Sequence, residues 1–258
     1  MKYKLIACEI AQPEFEHVVT DSEHDFDVEY LPQGYHSDVE VGRREIQRRI
    51  EASTGYDAVI LGYGLCNNML AGIRAADTTM IVARAHDCIT WFMGSKERYR
   101  HEFDSNPGTY YYTPGWLGVR VGNQKDQHYA EPDETNSNGG GIGVSGTYEE
   151  IVEKYGEDNA QFLMEMSNAW TKHYKHGTYI SLPFYNHEEY RPHVHEICNR
   201  NDWQFREMDG DIGLLHRWIN GPWEQGEFLV VPPGSRIIPT FDTTLITIAH
   251  GGGTRKDA

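Results

Sequence analysis

Basic residues are scarce in this chain. Lys and Arg number 23 against 39 Asp and Glu, and the formal net charge is −16 over 258 residues. Nucleic-acid and anionic-membrane binding both need concentrated positive charge, so neither partner is expected. No apolar run approaches the roughly 20 residues of a membrane-spanning helix. The sequence has no Walker loop, no G-x-G-x-x-G after a strand and no G-x-S-x-G. The Gly62-Tyr63-Gly64 turn resembles a nucleotide loop only superficially. Cysteine is sparse too: there are 4, with no C-x-x-C pair and no standard zinc or ferredoxin spacing. The N-terminus, Met1 to Cys8, opens like a signal peptide, but Glu9 cuts the apolar run and Pro13, Glu14 and Glu16 follow. It reads instead as a first strand, and the expected location is the cytoplasm. There, cysteines are thiols, metal ligands or nucleophiles more often than disulfides.

Hydrophobic residues make up 39% of the chain, enough for a core. Tyr3–Ala7, Ala58–Leu61 and Thr79–Ala83 are buried-strand patterns, and Phe26–Leu31 alternates like a strand near a sheet edge. Val39–Ser53 has helical spacing, with Arg43, Arg44, Arg48 and Arg49 on a solvated face. A short helix carrying Met69, Leu70 and Ile73 is expected after Cys66, and another over Ile89–Tyr99. Strand, loop and helix in repetition predict a mainly parallel sheet. Further on, helices are expected over 147–155, 157–173, His187–Asn201 and Asp211–Ile219. Strands are expected at Tyr179–Phe184, Trp203–Met208 and Phe228–Val231. The expected fold is α/β: two similar Rossmann-like or flavodoxin-like halves with mainly parallel sheets and a site at the strand carboxyl ends. The first half covers 1–122, a glycine-rich loop 123–146, the second half 147–250 and a disordered tail 251–258.

Three cysteines occupy equivalent places. Cys8 ends the first strand, Cys66 follows the Gly62-Tyr63-Gly64 turn, and Cys88 follows the next strand. Parallel strands present their carboxyl ends on one edge, where ligands of open α/β sheets bind. Thiolates gathered there suggest soft-metal ligation, by zinc or by iron in an iron–sulfur cluster. His86 can add a nitrogen ligand or act as a base. Arg84, directly after a buried strand, needs an acceptor: a bound carboxylate or phosphate, or an internal acidic partner. Tyr63 and Asn67 are candidates for contacting a cofactor, with helix capping the alternative for Asn67 and Asn68. For the cysteines the alternatives are a reactive thiol or plain packing. Cys198, inside a helix, is read as packing. The aromatic stretch Tyr110–Trp116 walls a pocket or packs as core.

Several strings resemble the domain-of-unknown-function family 1638. They are Tyr56–Asn68, Arg84-Ala85-His86-Asp87-Cys88-Ile89, Gly94–Tyr99, Asn106–Trp116 and Phe228–Gly234. The resemblance carries no settled activity. It implies a link to corrinoid methyltransferase systems of anaerobes, hence to methyl-group chemistry with a corrinoid protein as partner. Three functions follow as expectations: a cytosolic metal- or cluster-dependent enzyme acting on a small molecule, a non-catalytic holder of metal, cofactor or small ligand, or a metal-free enzyme with Cys66 as nucleophile and His86 as base.

Overall fold

The computed structural model describes residues 1–36, 38–122, 152, 153, 157 and 173–249. The chain folds as two compact units, Met1–Tyr99 with Asp211–Ala258, and Arg100–Gly210. The glycine-rich loop at 123–146, most of the helices expected over 147–173 and the tail at 251–258 lie outside the described residues.

The first unit is built on five strands: β1 (Lys2–Cys8), β2 (Asp25–Leu31), β3 (Ala58–Gly62), β4 (Met80–Ala83) and β8 (Phe228–Val231). Their spatial order is β2-β1-β3-β4-β8. The first four are parallel, and β8 runs antiparallel to β4. The central strands are apolar on both faces because both faces are covered: every residue of β3 and β4 is buried. β2 is an edge strand, and its alternating exposure follows from that.

Helix α1 (Gln12–Thr20) joins β1 to β2, and α2 (Val39–Ala52) joins β2 to β3. The composition of α1 is polar overall. Pro13 in its first turn and a buried Phe15–Val18 pair, three apart, are what make it a helix that packs inward. Asp38 caps α2 by accepting from the Val41 amide at 3.1 Å, and Gly42, Ile46 and Ile50 form its buried stripe. Two of its arginines are not on a free face. Arg49 pairs with Glu29 and Glu45, and Arg43 is half-buried.

The helix expected after Cys66 is a run of turns instead. Gly72 and Ala75 donate to carbonyls of Ile237 and Ser235, tying this segment to β9 (Arg236–Pro239), which pairs antiparallel with β10 (Ile246–Ala249). The expected Ile89–Tyr99 helix is two, α3 (Cys88–Phe92) and α4 (Lys96–Ser105). Gly94, at φ +79° between them, packs against Asp211, whose carboxylate a Cβ there would approach to 2.6 Å. Helix α7 (Gly213–Asn220) completes the unit. Phe15, Trp91 and Trp218 meet with centroids 5.5–5.9 Å apart, and the Trp218 indole donates to the Ile81 carbonyl at 3.4 Å. Edge-to-face pairs of this kind add about 0.5–1.5 kcal/mol each beyond area burial.

The second unit has a three-stranded parallel sheet, β5 (Thr109–Tyr112), β6 (His176–Ser181) and β7 (Gln204–Asp209), in the order β5-β6-β7. Helices α5 (Pro114–Gly122) and α6 (His187–Arg200) accompany it. Tyr112 and Trp116 are buried, and Tyr110 stacks near Trp203, so the aromatic stretch is core of this unit. Cys198 of α6 is buried against Gly177, where any Cβ would fall 2.3 Å from its sulfur. The expected membership of Phe228–Val231 in a second half does not hold: β8 returns to the first sheet, pairing Phe228 with Ala83 and Val231 with Met80. The observed architecture is mixed α/β with a mostly parallel central sheet.

Candidate functional site

In the order β2-β1-β3-β4, the chain steps outward from β1 to β2 and then returns past it to β3. Right-handed crossovers put the two connections on opposite faces, so a crevice opens at the carboxyl ends of β1 and β3. Cys8 is the last residue of β1, and Cys66 lies four residues past β3. The register fixes the neighbours: Ala7 lies opposite Gly62, and Cys8 opposite Leu31.

The loops after β3 and β4 are built alike. Each begins with a three-residue turn, Tyr63 N–H to the Leu61 carbonyl at 2.8 Å and Ala85 N–H to the Ala83 carbonyl at 2.9 Å. The loops are then laced together, with the Leu65 and Cys66 amides donating to the carbonyls of Ala85 and His86, both at 2.9 Å. Gly64 is required by space rather than by φ, since a Cβ there would meet the Asp87 backbone at 2.9 Å. Left-handed backbone falls instead on Cys66, Asn67 and Asn68, at φ 39°, 54° and 64°. Asparagine tolerates this conformation; cysteine adopts it rarely. From α2, Arg43 holds the far side of the loop, donating to the Asn68 carbonyl at 3.0 Å.

Cys8, Cys66 and Cys88 all follow strand ends on this edge of the sheet, near enough for charge on one to act on another. The Cys66 sulfur accepts from the amides of Gly64 and Cys88, and the Cys8 sulfur from that of Ile10. Burial pushes the Cys8 thiol up to about 12, the Ile10 amide opposes this, and the Glu9 charge adds to it. Cys66 is raised further, first by burial, then by the charges of Asp87 and Cys8. Cys88 is raised well above the ordinary thiol by burial, then by Asp87, Cys66, Cys8 and Glu14. Each ionisation on this edge opposes the next. Asp87 caps α3, and a helix N-terminus favours a thiolate; for Cys88, in the first turn of a helix of only five residues, burial outweighs that. Cys66 and Cys88 retain some solvent exposure, whereas Cys8 is buried.

Two further side chains face this edge. His36, in the turn after β2, lies with Nε2 3.5 Å from the Cys8 sulfur and its ring nearly parallel to that of Tyr63. Burial lowers its pKa against the opposing pull of Asp87. Tyr63 is buried, and its hydroxyl has no hydrogen-bond partner among the described residues. Burial raises its pKa first, then the charges of Cys8, Cys66, Tyr35 and Glu9. A buried hydroxyl left unpaired costs about 1–3 kcal/mol.

The remaining expected residues have other positions. The exposed ring of His86 hydrogen-bonds Asp87 at 3.3 Å and stacks on Tyr99, and the Asp87 partnership raises its pKa. The Arg84 guanidinium donates to the backbone carbonyls of Gln225 at 2.7 Å, Thr244 at 2.9 Å and Ile246. Its acceptors are therefore internal and are main-chain carbonyls rather than an acidic side chain. Asn67 is exposed on the loop, and no helix follows for it to cap. Sequence reasoning missed His36. Its signal was the Pro32-Gln33-Gly34 break, which ends β2 on the same edge as Cys8.

In kind, three thiols and an imidazole fit zinc or iron. In spacing, no group of three or more His, Cys, Asp and Glu side chains among the described residues stands arranged to hold a metal ion. No helix among them is long and apolar enough to cross a membrane.

No curated protein and no solved structure matches the chain. A family model, Protein of unknown function (DUF1638), matches residues 30–219, a span that holds His36, Cys66 and Cys88 while Cys8 precedes it. That span is well over half of the chain, and the protein belongs to this family.

Proposed function

We propose that this is a cytoplasmic thiol-ligand protein that takes up a soft metal, as zinc or as iron in an iron–sulfur cluster, and that the centre serves chemistry on a small molecule. Cys8, Cys66 and Cys88 are the donors. The observation that carries the reading is position: Cys8, Cys66 and Cys88 follow the carboxyl ends of β1, β3 and β4, neighbouring parallel strands of one sheet, and the ionisation of each opposes that of the next. A soft cation reverses that balance, because it binds thiolates and releases their protons. The position at the crevice beside β1 and β3 and the unpaired Tyr63 hydroxyl add support. Among the described residues these side chains do not stand in a metal-holding arrangement, so uptake requires them to rearrange. The family resemblance points the small-molecule chemistry toward methyl transfer, with a corrinoid protein as partner.

A second reading, a non-catalytic holder of a cofactor or small ligand, draws on the same Tyr63 hydroxyl. The metal-free nucleophile reading is opposed by the raised Cys66 thiol. Anaerobic purification followed by metal and sulfide analysis and an absorbance spectrum tests the proposal. The expected result is one zinc per chain, or iron with sulfide and broad visible absorbance, lost on Cys8→Ser, Cys66→Ser or Cys88→Ser. A folded protein that takes up neither metal overturns it.

A further inference from the structure

We draw no further inference here: the strongest candidate, the side-chain cluster of Cys8, His36 and Tyr63 at the carboxyl ends of β1, β2 and β3, belongs to the site already described, and nothing in the structure shows what the Tyr63 hydroxyl faces.

Discussion

Thiol chemistry decides matters at the scale of single residues. Free cysteine is nucleophilic near neutral pH because a few per cent of it is ionised. With the Cys8 thiol pushed up to about 12, the ionised fraction falls by roughly three orders of magnitude. Folded, metal-free protein at pH 7.5 is therefore expected to alkylate at Cys8 at least about a hundredfold more slowly than urea-unfolded protein, with Cys66 and Cys88 slowed in the same direction. Mass spectrometry of iodoacetamide time courses reads this, and rapid alkylation of Cys66 alone in the folded protein would favour the nucleophile. Gly64 is the second residue with a sharp consequence. Gly64→Ala puts a methyl 2.9 Å from the Asp87 backbone, and backbone cannot swing aside as a side chain does. The expected cost is about 1–3 kcal/mol in urea unfolding, with the Cys66 and Cys88 loops forced apart. At this scale the sequence told part of the story. The three cysteines were legible because each ends or follows an apolar run. His36 was not, because its importance depends on which strand lies beside β1, and no local pattern states that.

Among the elements, β2 is an edge strand of the first sheet, with one hydrogen-bonded neighbour. Ion pairs hold its outer residues. Lys4 of β1 reaches Asp27 at 3.0 Å and Glu29 at 3.3 Å, and Arg49 of α2 reaches Glu29 at 2.6 Å. Burial alone would raise the Glu29 carboxyl; hydrogen bonds from Arg49 and Lys4 more than offset it and leave its pKa lowered. A lowered carboxyl contributes stability that is present above its unfolded pKa, about 4.3, and is lost as pH falls through its folded value. Thermal melts from pH 6 down to pH 2.5 are expected to show a steeper acid loss in wild type than in Glu29→Gln. The difference at neutral pH is below about 1 kcal/mol because the groups are partly solvated. Helix α1 shows why some elements escape a sequence reading. Its mean character is polar, and only Phe15 and Val18 mark the face that meets α7. The segment after Cys66 shows the reverse: Met69, Leu70 and Ile73 have helical spacing but are buried through turns tied to β9.

For the whole molecule, the first sheet depends on residues from both ends of the chain. Trp218, from α7, contacts Phe15 and Trp91 and bonds the Ile81 carbonyl in the middle of β4. Trp218→Ala is expected to destabilise the first unit by about 3–5 kcal/mol, measured by chemical unfolding followed through the remaining tryptophans. Long-range closure of this kind is what single-sequence patterns leave out. Phe228–Val231 reads correctly as a strand, yet nothing in those four residues names β4 as its partner or gives the antiparallel direction. The parallel core was legible because fully apolar runs such as Ala58–Leu61 suit a strand covered on both faces.

The junction of the first unit carries one more consequence. Met93 and Asp211 are bridged as neighbours, and the Asp211 amide donates to the Phe92 carbonyl at 2.8 Å. The polypeptide thus leaves this unit and rejoins it at almost the same spot, so Arg100–Gly210 is a detour rather than a bridge. A gene in which a few glycine and serine codons replace that detour should encode a miniature protein that keeps the five-stranded sheet and all of Cys8, His36, Cys66 and Cys88. Dispersed amide proton resonances from the miniature would confirm the shortcut, and a collapsed, undispersed spectrum would refute it.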